Sequence, residues 1–177
     1  MILKHTSPSV LVIAALVWCA APASAQQASP LPGGASSLQE TYQDWQVACS
    51  VQGQSKRCAL SQQQSQQNGQ RILAVEFAPT AEKLTGTLVL PFGLLLASGV
   101  EVQVDDNAAG TPMTFRTCLP NGCVVPLTFD AASIKRLRAG TALKLKAVRA
   151  DNEQPLTFSI SLKGFATALD RTGSLLK

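Results

Sequence analysis

Five cysteines, one histidine and a scatter of 11 acidic residues are the side chains of this 177-residue chain whose types could do chemistry. The histidine is His5 and the first cysteine is Cys19, both lying before Ala23-Ser24-Ala25. The other cysteines stand at Cys49, Cys58, Cys118 and Cys123, as Cys-x8-Cys and Cys-x4-Cys. Thiols in a chain admit a zinc site, thiol exchange or structural cystines. The two spacings together do not make the usual zinc knuckles, and a four-thiolate site needs reduced cysteines. The exchange motif Cys-x-x-Cys is absent. Structural cystines are what remains.

The acids offer little more. Hydrolysis by paired carboxylates needs two convergent acids, whereas those here are scattered, and neighbours such as Asp105 and Asp106 point opposite ways on a strand. Asp105-Asp106-Asn107 lacks the spaced oxygen ligands of a calcium loop, and neither phosphate-binding glycine pattern occurs. No cofactor is implied.

The first 25 residues explain why the histidine drops out. Lys4 and His5 make a short polar start, Val10 to Ala21 is almost unbroken apolar, and Ala23-Ser24-Ala25 is the small-x-small pattern of signal cleavage. Residues 1–25 are therefore expected to be a secretory signal peptide. The apolar run is shorter than the ~20 residues of a membrane span, and bulky Val17-Trp18 precedes Cys19 where a lipoprotein signal wants small residues. No transmembrane span is expected after cleavage. The cut removes His5 and Cys19, leaving a chain without histidine and with four cysteines. Without histidine there is no Ser-His-Asp triad, Cys-His pair or His-ligated zinc. An even cysteine count in an exported chain points to two disulfides. Of the three possible pairings the sequence-local one, Cys49–Cys58 with Cys118–Cys123, is favoured because each pair brackets a turn-rich segment. Lys4 leaves too, so the net charge of +4 drops by one, too mild for a nucleic-acid binder.

The elements that position these residues are mostly strands. Residues 26–41, with Ser29-Pro30-Leu31-Pro32-Gly33-Gly34, read as a flexible Pro/Gly/Ser-rich lead-in. A domain over 42–170 follows, with 171–177 as a tail. Trp45, Val47 and Cys49 alternate on one strand face, as do Leu73, Val75 and Phe77 on another. Trp45 is expected to anchor the core. Gln62 to Gln70 reads as a polar loop ending in the turn Asn68-Gly69. Strands are also expected over 84–90, 100–104, 142–148 and 156–162. Between Cys118 and Cys123, Leu119-Pro120-Asn121-Gly122 is hairpin-turn chemistry. If those cysteines lie opposite one another, Arg116 and Thr114 share a face with Val125 and Leu127, so either a bulge intervenes or that face is half covered. Asp130 caps one helix, which Gly140 closes, and a second short helix spans 164–170. The expected fold is mainly β: a single antiparallel β-sandwich or open barrel of eight or nine short strands with one or two short helices.

Two surfaces are candidates for binding. Lys135, Arg136, Arg138, Lys144, Lys146 and Arg149 fall within fifteen residues with no acid among them. If helix and strand are adjacent, their outer faces form a patch for lipid phosphates or an acidic protein; otherwise they are helix-end cations plus a solvated strand face. The segment Pro91 to Gly99, with Phe92, Leu94, Leu95 and Leu96, is too apolar for a solvent loop. It packs over the core or meets a partner or lipid.

The ordered set Trp45-Gln46-Val47-x-Cys49, Cys58, Leu90-Pro91-x-Gly93 with Gly99-Val100, Phe115-Arg116-x-Cys118 with Gly122-Cys123, and Ser161-Leu162-Lys163-Gly164-Phe165 resembles the invasion-associated locus B family of bacterial exported proteins. The resemblance runs from about Tyr42 to Leu169. It implies a β-rich domain in the Gram-negative periplasm, associated with the outer membrane or secreted, with no established catalysis and some members linked to host-cell invasion. The functional expectation is an exported non-enzymatic envelope protein that binds an envelope or host protein or an anionic lipid surface. The alternative is a small periplasmic enzyme or chaperone-like factor. A pocket with two close carboxylates or a Ser–Lys pair favours the enzyme, and a convex surface with an exposed apolar or basic patch favours the binder.

Overall fold

The computed structural model describes residues 31–80, 82–107 and 110–177; the expected signal peptide and Cys19 lie outside them. Ten strands run β1 (Ser37–Tyr42), β2 (Trp45–Gln52), β3 (Ser55–Ser65), β4 (Arg71–Pro79), β5 (Leu84–Leu90), β6 (Glu101–Val104), β7 (Thr117–Leu119), β8 (Gly122–Phe129), β9 (Ala142–Val148) and β10 (Pro155–Ser161). Two helices, α1 (Ala131–Ala139) and α2 (Phe165–Leu176), complete the fold. A seven-stranded sheet takes the order β1-β2-β3-β4-β5-β8-β7 and a three-stranded sheet the order β10-β9-β6. Every pairing is antiparallel, and both sheets are open.

Alternation explains the layering. Trp45, Val47 and Cys49 of β2 are buried while Gln46, Ala48 and Ser50 face out. Leu73, Val75 and Phe77 repeat the pattern on β4, and Leu143, Leu145 and Ala147 on β9. These inner faces meet in one core. Trp45 is its centre: fully buried, 5.8 Å between centroids from Phe77 and 5.1 Å from Phe165 of α2, its indole N–H donating to the Ser161 carbonyl at 2.9 Å. Such edge and stacked contacts add to the area each ring buries.

Three expectations are corrected. Gln62–Ser65 belongs to β3, not to a loop, and only Gln66–Gln70 turns. Gln62 points inward, 8% exposed. Its amide donates to the Ser161 carbonyl at 3.0 Å, its side-chain oxygen accepts from Ser161 N–H at 3.2 Å, and Gln64 donates to the Ser159 carbonyl at 2.7 Å. Glutamine side chains thus satisfy the edge of β10 where a paired strand would otherwise be needed. The lead-in 26–41 contains β1 from Ser37, and Leu31 is buried at its start. The segment 171–177 is not a tail: α2 runs to Leu176, with Thr172 and Leu175 buried.

Helix ends follow from close approach. Asp130 accepts from Ser133 N–H at 2.8 Å, as its capping role requires. Gly140 closes α1 in extended rather than left-handed backbone; a Cβ there would strike Val104. Gly164 starts α2 at φ 82°, and a Cβ would collide with the Tyr42 carbonyl. Arg171 of α2 then forms a two-bond pair with Glu40 of β1, both bonds 2.7 Å, and the Tyr42 hydroxyl donates to the same carboxylate at 2.7 Å.

Candidate functional site

Both cystines form, in the sequence-local pairing: Cys49–Cys58 across β2 and β3, Cys118–Cys123 across β7 and β8. In each case the two cysteines are directly opposite in the register. The first is buried. In the second Cys123 is buried and Cys118 exposed, because β7 is a three-residue edge strand. Just before β7 the Arg116 N–H donates to the Val124 carbonyl at 2.8 Å while Thr117 pairs with the same residue, so two residues stand opposite one, as in a β-bulge, and Arg116 is exposed.

The register sorts these features to opposite ends of the large sheet. Cys49, Cys58, Pro79, Leu84 and Phe129 form one row, from which α1 departs. Leu73, Leu90, Cys123 and Cys118 mark the other end, where the hairpin turn and Pro91 lie.

The Pro91–Gly99 segment is divided by its packing. Leu94 is buried and bridges to Arg149, Leu95 is half-buried, and Phe92 and Leu96 are exposed, Phe92 at 60%. The backbone is pinned from both directions, by Leu95 N–H to the Val148 carbonyl at 2.8 Å and Ala150 N–H to the Gly93 carbonyl at 2.9 Å. Phe92 sits between two shallow grooves. Arg71, Pro120 and Asn121 line one, and Arg149, Asp151 and Leu156 the other. Arg71 also donates to the Asn121 carbonyl at 2.8 Å, tying the hairpin tip to β4. Leu119, at that tip, is 49% exposed.

The basic cluster is broken up. Lys144 and Lys146 do share the outer face of the small sheet, but acids from elsewhere in the chain meet them: Asp106 at 2.7 Å from Lys144 and Glu101 at 3.6 Å from Lys146. Arg138 pairs with Asp170 of α2 through two bonds of 2.8 Å. Arg136 bonds the Ser133 hydroxyl at 2.9 Å, and Arg149 lies at the Phe92 groove. Lys135 is exposed on α1, whose main neighbours are α2 and β8. Asp105 is spent on structure. Its carboxylate accepts from the Thr141 hydroxyl at 2.6 Å and from Ala142 N–H at 2.9 Å, and these bonds hold it below the usual carboxylate range.

Among the described residues no group of three His, Cys, Asp or Glu side chains is placed to hold a metal. Ser174 and Lys177 both line a cleft beside α2, but the Ser174 hydroxyl donates to the Arg171 carbonyl at 2.8 Å. That bond occupies the proton a nucleophilic serine would give to a base. Residues that sequence reasoning missed are Gln62, Gln64, Glu40, Arg171 and the cleft lining. The glutamine run was visible but signals a loop by composition.

Two stapled cystines and an open two-sheet core define a disulfide-bonded β domain of extracytoplasmic type. Among the described residues no helix is long and apolar enough to cross a membrane. The family model described as invasion associated locus B (IalB) protein matches residues 45–173. An invasion protein B homologue of Brucella abortus (strain 2308) is 48% identical over 152 residues, covering 85% of this chain and 87% of the relative. Invasion protein B of Bartonella bacilliformis is 36% identical over 181 residues, covering 96% and 97%. The crystal structure of invasion associated protein B from Bartonella henselae superposes with a TM-score of 0.74 at 36% identity, covering 78% of this chain and 96% of that one. The chain belongs to the invasion associated locus B family.

Proposed function

We propose that this chain is an exported, non-enzymatic interaction module of the bacterial envelope that works in the periplasm and meets an anionic membrane surface through its Phe92 end. The observation that carries the reading is Phe92, an aromatic ring 60% exposed on a backbone anchored to β9, with Arg71 and Arg149 on its flanks. Apolar side chains enter the headgroup layer while guanidinium groups meet lipid phosphates. Leu119 adds a second apolar side chain at the same end. The signal-like pattern of the sequence over 1–25 and the two cystines support export. The relatives bear the name invasion protein B, and we extend that association to this chain as an envelope role during contact with a host cell.

Cosedimentation with phosphatidylglycerol vesicles tests the reading. Phe92→Ser and Arg149→Glu are each expected to lower the bound fraction several-fold, with binding weakening as salt rises. Lys144→Glu is expected to change little, because Asp106 already occupies that lysine. Wild-type binding to the vesicles in both Phe92→Ser and Arg149→Glu would refute the proposal.

A further inference from the structure

At the end of the sheet away from Phe92, α1, α2 and the β4–β5 turn enclose a cleft of about 580 Å³, within the range of small-molecule sites. Its floor is apolar: Leu84 and Leu169 are buried there, with Ile134 and Leu176 half-buried. Lys83 stands exposed at the mouth and makes no ion pair among the described residues. Asp170 also lines the cleft, but Arg138 holds both of its oxygens at 2.8 Å. The lining side chains left without an opposite charge among the described residues, Lys83 and Lys177, are both positive.

Gly173 is the second observation. It sits inside α2, where glycine is the poorest helix former after proline. Its φ is not positive, and a Cβ built on it would meet nothing within 4 Å. Neither backbone conformation nor close approach calls for glycine here. What the missing side chain does is leave the cleft open.

The two hydroxyl groups of the lining are already engaged. The Thr80 hydroxyl donates to the Lys83 carbonyl at 2.9 Å and the Ser174 hydroxyl to the Arg171 carbonyl at 2.8 Å. A peptide backbone would find few partners and would leave its own amides unpaired. An alkyl chain needs none, and Gly173 leaves room for one beside the apolar floor. We propose that this cleft binds a single-chain anionic amphiphile, a fatty acid, with its alkyl chain over Leu84, Ile134, Leu169 and Leu176 and its carboxylate at Lys83. The site is separate from the Phe92 end and does not depend on the membrane reading.

Titration calorimetry of the purified protein with laurate, kept below its micelle concentration, is the test. Saturable one-to-one binding is expected, weakened about tenfold or more by Gly173→Leu. Lys83→Glu is expected to weaken laurate several-fold and to leave the uncharged analogue dodecanol unchanged. Ile134→Phe fills the cleft from α1 and is expected to act as Gly173→Leu does, so the test survives if one variant misfolds. Absence of saturable binding, or wild-type affinity in a folded cleft-filling variant, overturns the proposal. Equal effects of Lys83→Glu on laurate and dodecanol overturn the placement of the carboxylate.

Discussion

The two sides of the seven-stranded sheet, the helical one of β1–β4 beneath α2 and the hairpin one of β5, β8 and β7, are built on opposite principles. At the helical end α2 lies over the first four strands, the Trp45–Phe77–Phe165 cluster fills the space beneath, and Cys49–Cys58 is buried in the same core. At the hairpin end the cystine stands on a three-residue edge strand, and Phe92 and Leu119 project into solvent. Large apolar side chains therefore do opposite work according to the end they occupy: they hold the fold together at one and remain free for contact at the other. The difference comes from the covering helix. Where α2 packs, the apolar face is consumed, and the cleft at Gly173 opens beside the helix; where the chain turns without a helix above it, a pinned loop presents its ring outward.

Truncating one ring from each end is the widest test of that contrast. Trp45→Ala is expected to cost roughly 3–5 kcal/mol, since it empties a fully buried site and removes the indole bond to Ser161. Phe92→Ala is expected to stay within about 0.5 kcal/mol of wild type, as exposed substitutions do. Urea unfolding midpoints at constant m-value would show it. A Phe92→Ala cost approaching that of Trp45→Ala would mean that the hairpin end is a second core and not a contact surface.

What the sequence disclosed about each end follows the range of the interactions involved. Alternation is local, so Trp45-x-Val47-x-Cys49 and Leu143-x-Leu145-x-Ala147 announce their strands and inner faces directly. The cystines were legible because each closes a short loop. The seam between the sheets was not, because Gln62 and Gln64 take partners at Ser161 and Ser159, almost a hundred positions away, and look like loop residues on their own. The acids that meet the cation run were hidden for the same reason. The fifteen residues holding it contain no acid, but folding brings Glu101, Asp106 and Asp170 to it. Phe92 was picked out by its apolar setting, yet only the β9 bonds around Leu94 and Leu95 show that the segment divides into a buried half and an exposed half. Gly173 and buried Thr172 interrupt the apolar pattern beyond Asp170, which hid the last turns of α2.

The cystines sharpen the contrast at the next scale down. Each closes a short loop and contributes roughly 2–3 kcal/mol in the chain-entropy picture, slightly more for the longer Cys49–Cys58 loop. Their chemistry should differ more than their energetics. A thiolate must reach a sulfur to reduce it, and Cys118 is exposed whereas Cys49 and Cys58 are only 5% exposed. Graded reductant followed by alkylation and mass spectrometry is expected to label Cys118 and Cys123 first, with the protein still folded. Labelling of Cys49 and Cys58 at the same reductant level would show that the helical end opens as readily as the hairpin end. A double Cys49→Ala, Cys58→Ala variant is expected to lose more stability than Cys118→Ala, Cys123→Ala, because it also vacates core volume.

The smallest effect concerns the clasp that holds α2 over β1. Arg171 hydrogen-bonds Glu40 through both carboxylate oxygens, and the Tyr42 hydroxyl adds a third bond, lowering the Glu40 carboxyl from 4.5 to about 2. A carboxylate with a depressed folded-state pKa favours the folded state fully above its unfolded value and loses that contribution as protons bind. The clasp should therefore be intact above pH 4.5 and fade between there and about 2. Because both partners are partly solvent-exposed, its contribution should stay below that of either cystine. Unfolding midpoints followed from neutral pH into that window are expected to fall more steeply in the wild type than in Glu40→Gln, which has no proton to take up at this site. Glu40→Gln should also be the less stable protein at neutral pH, and the two should converge as the window is crossed. Parallel pH profiles would mean that the clasp is an incidental surface pair and that packing of Phe165, Ala168 and Leu169 alone keeps the helical end closed.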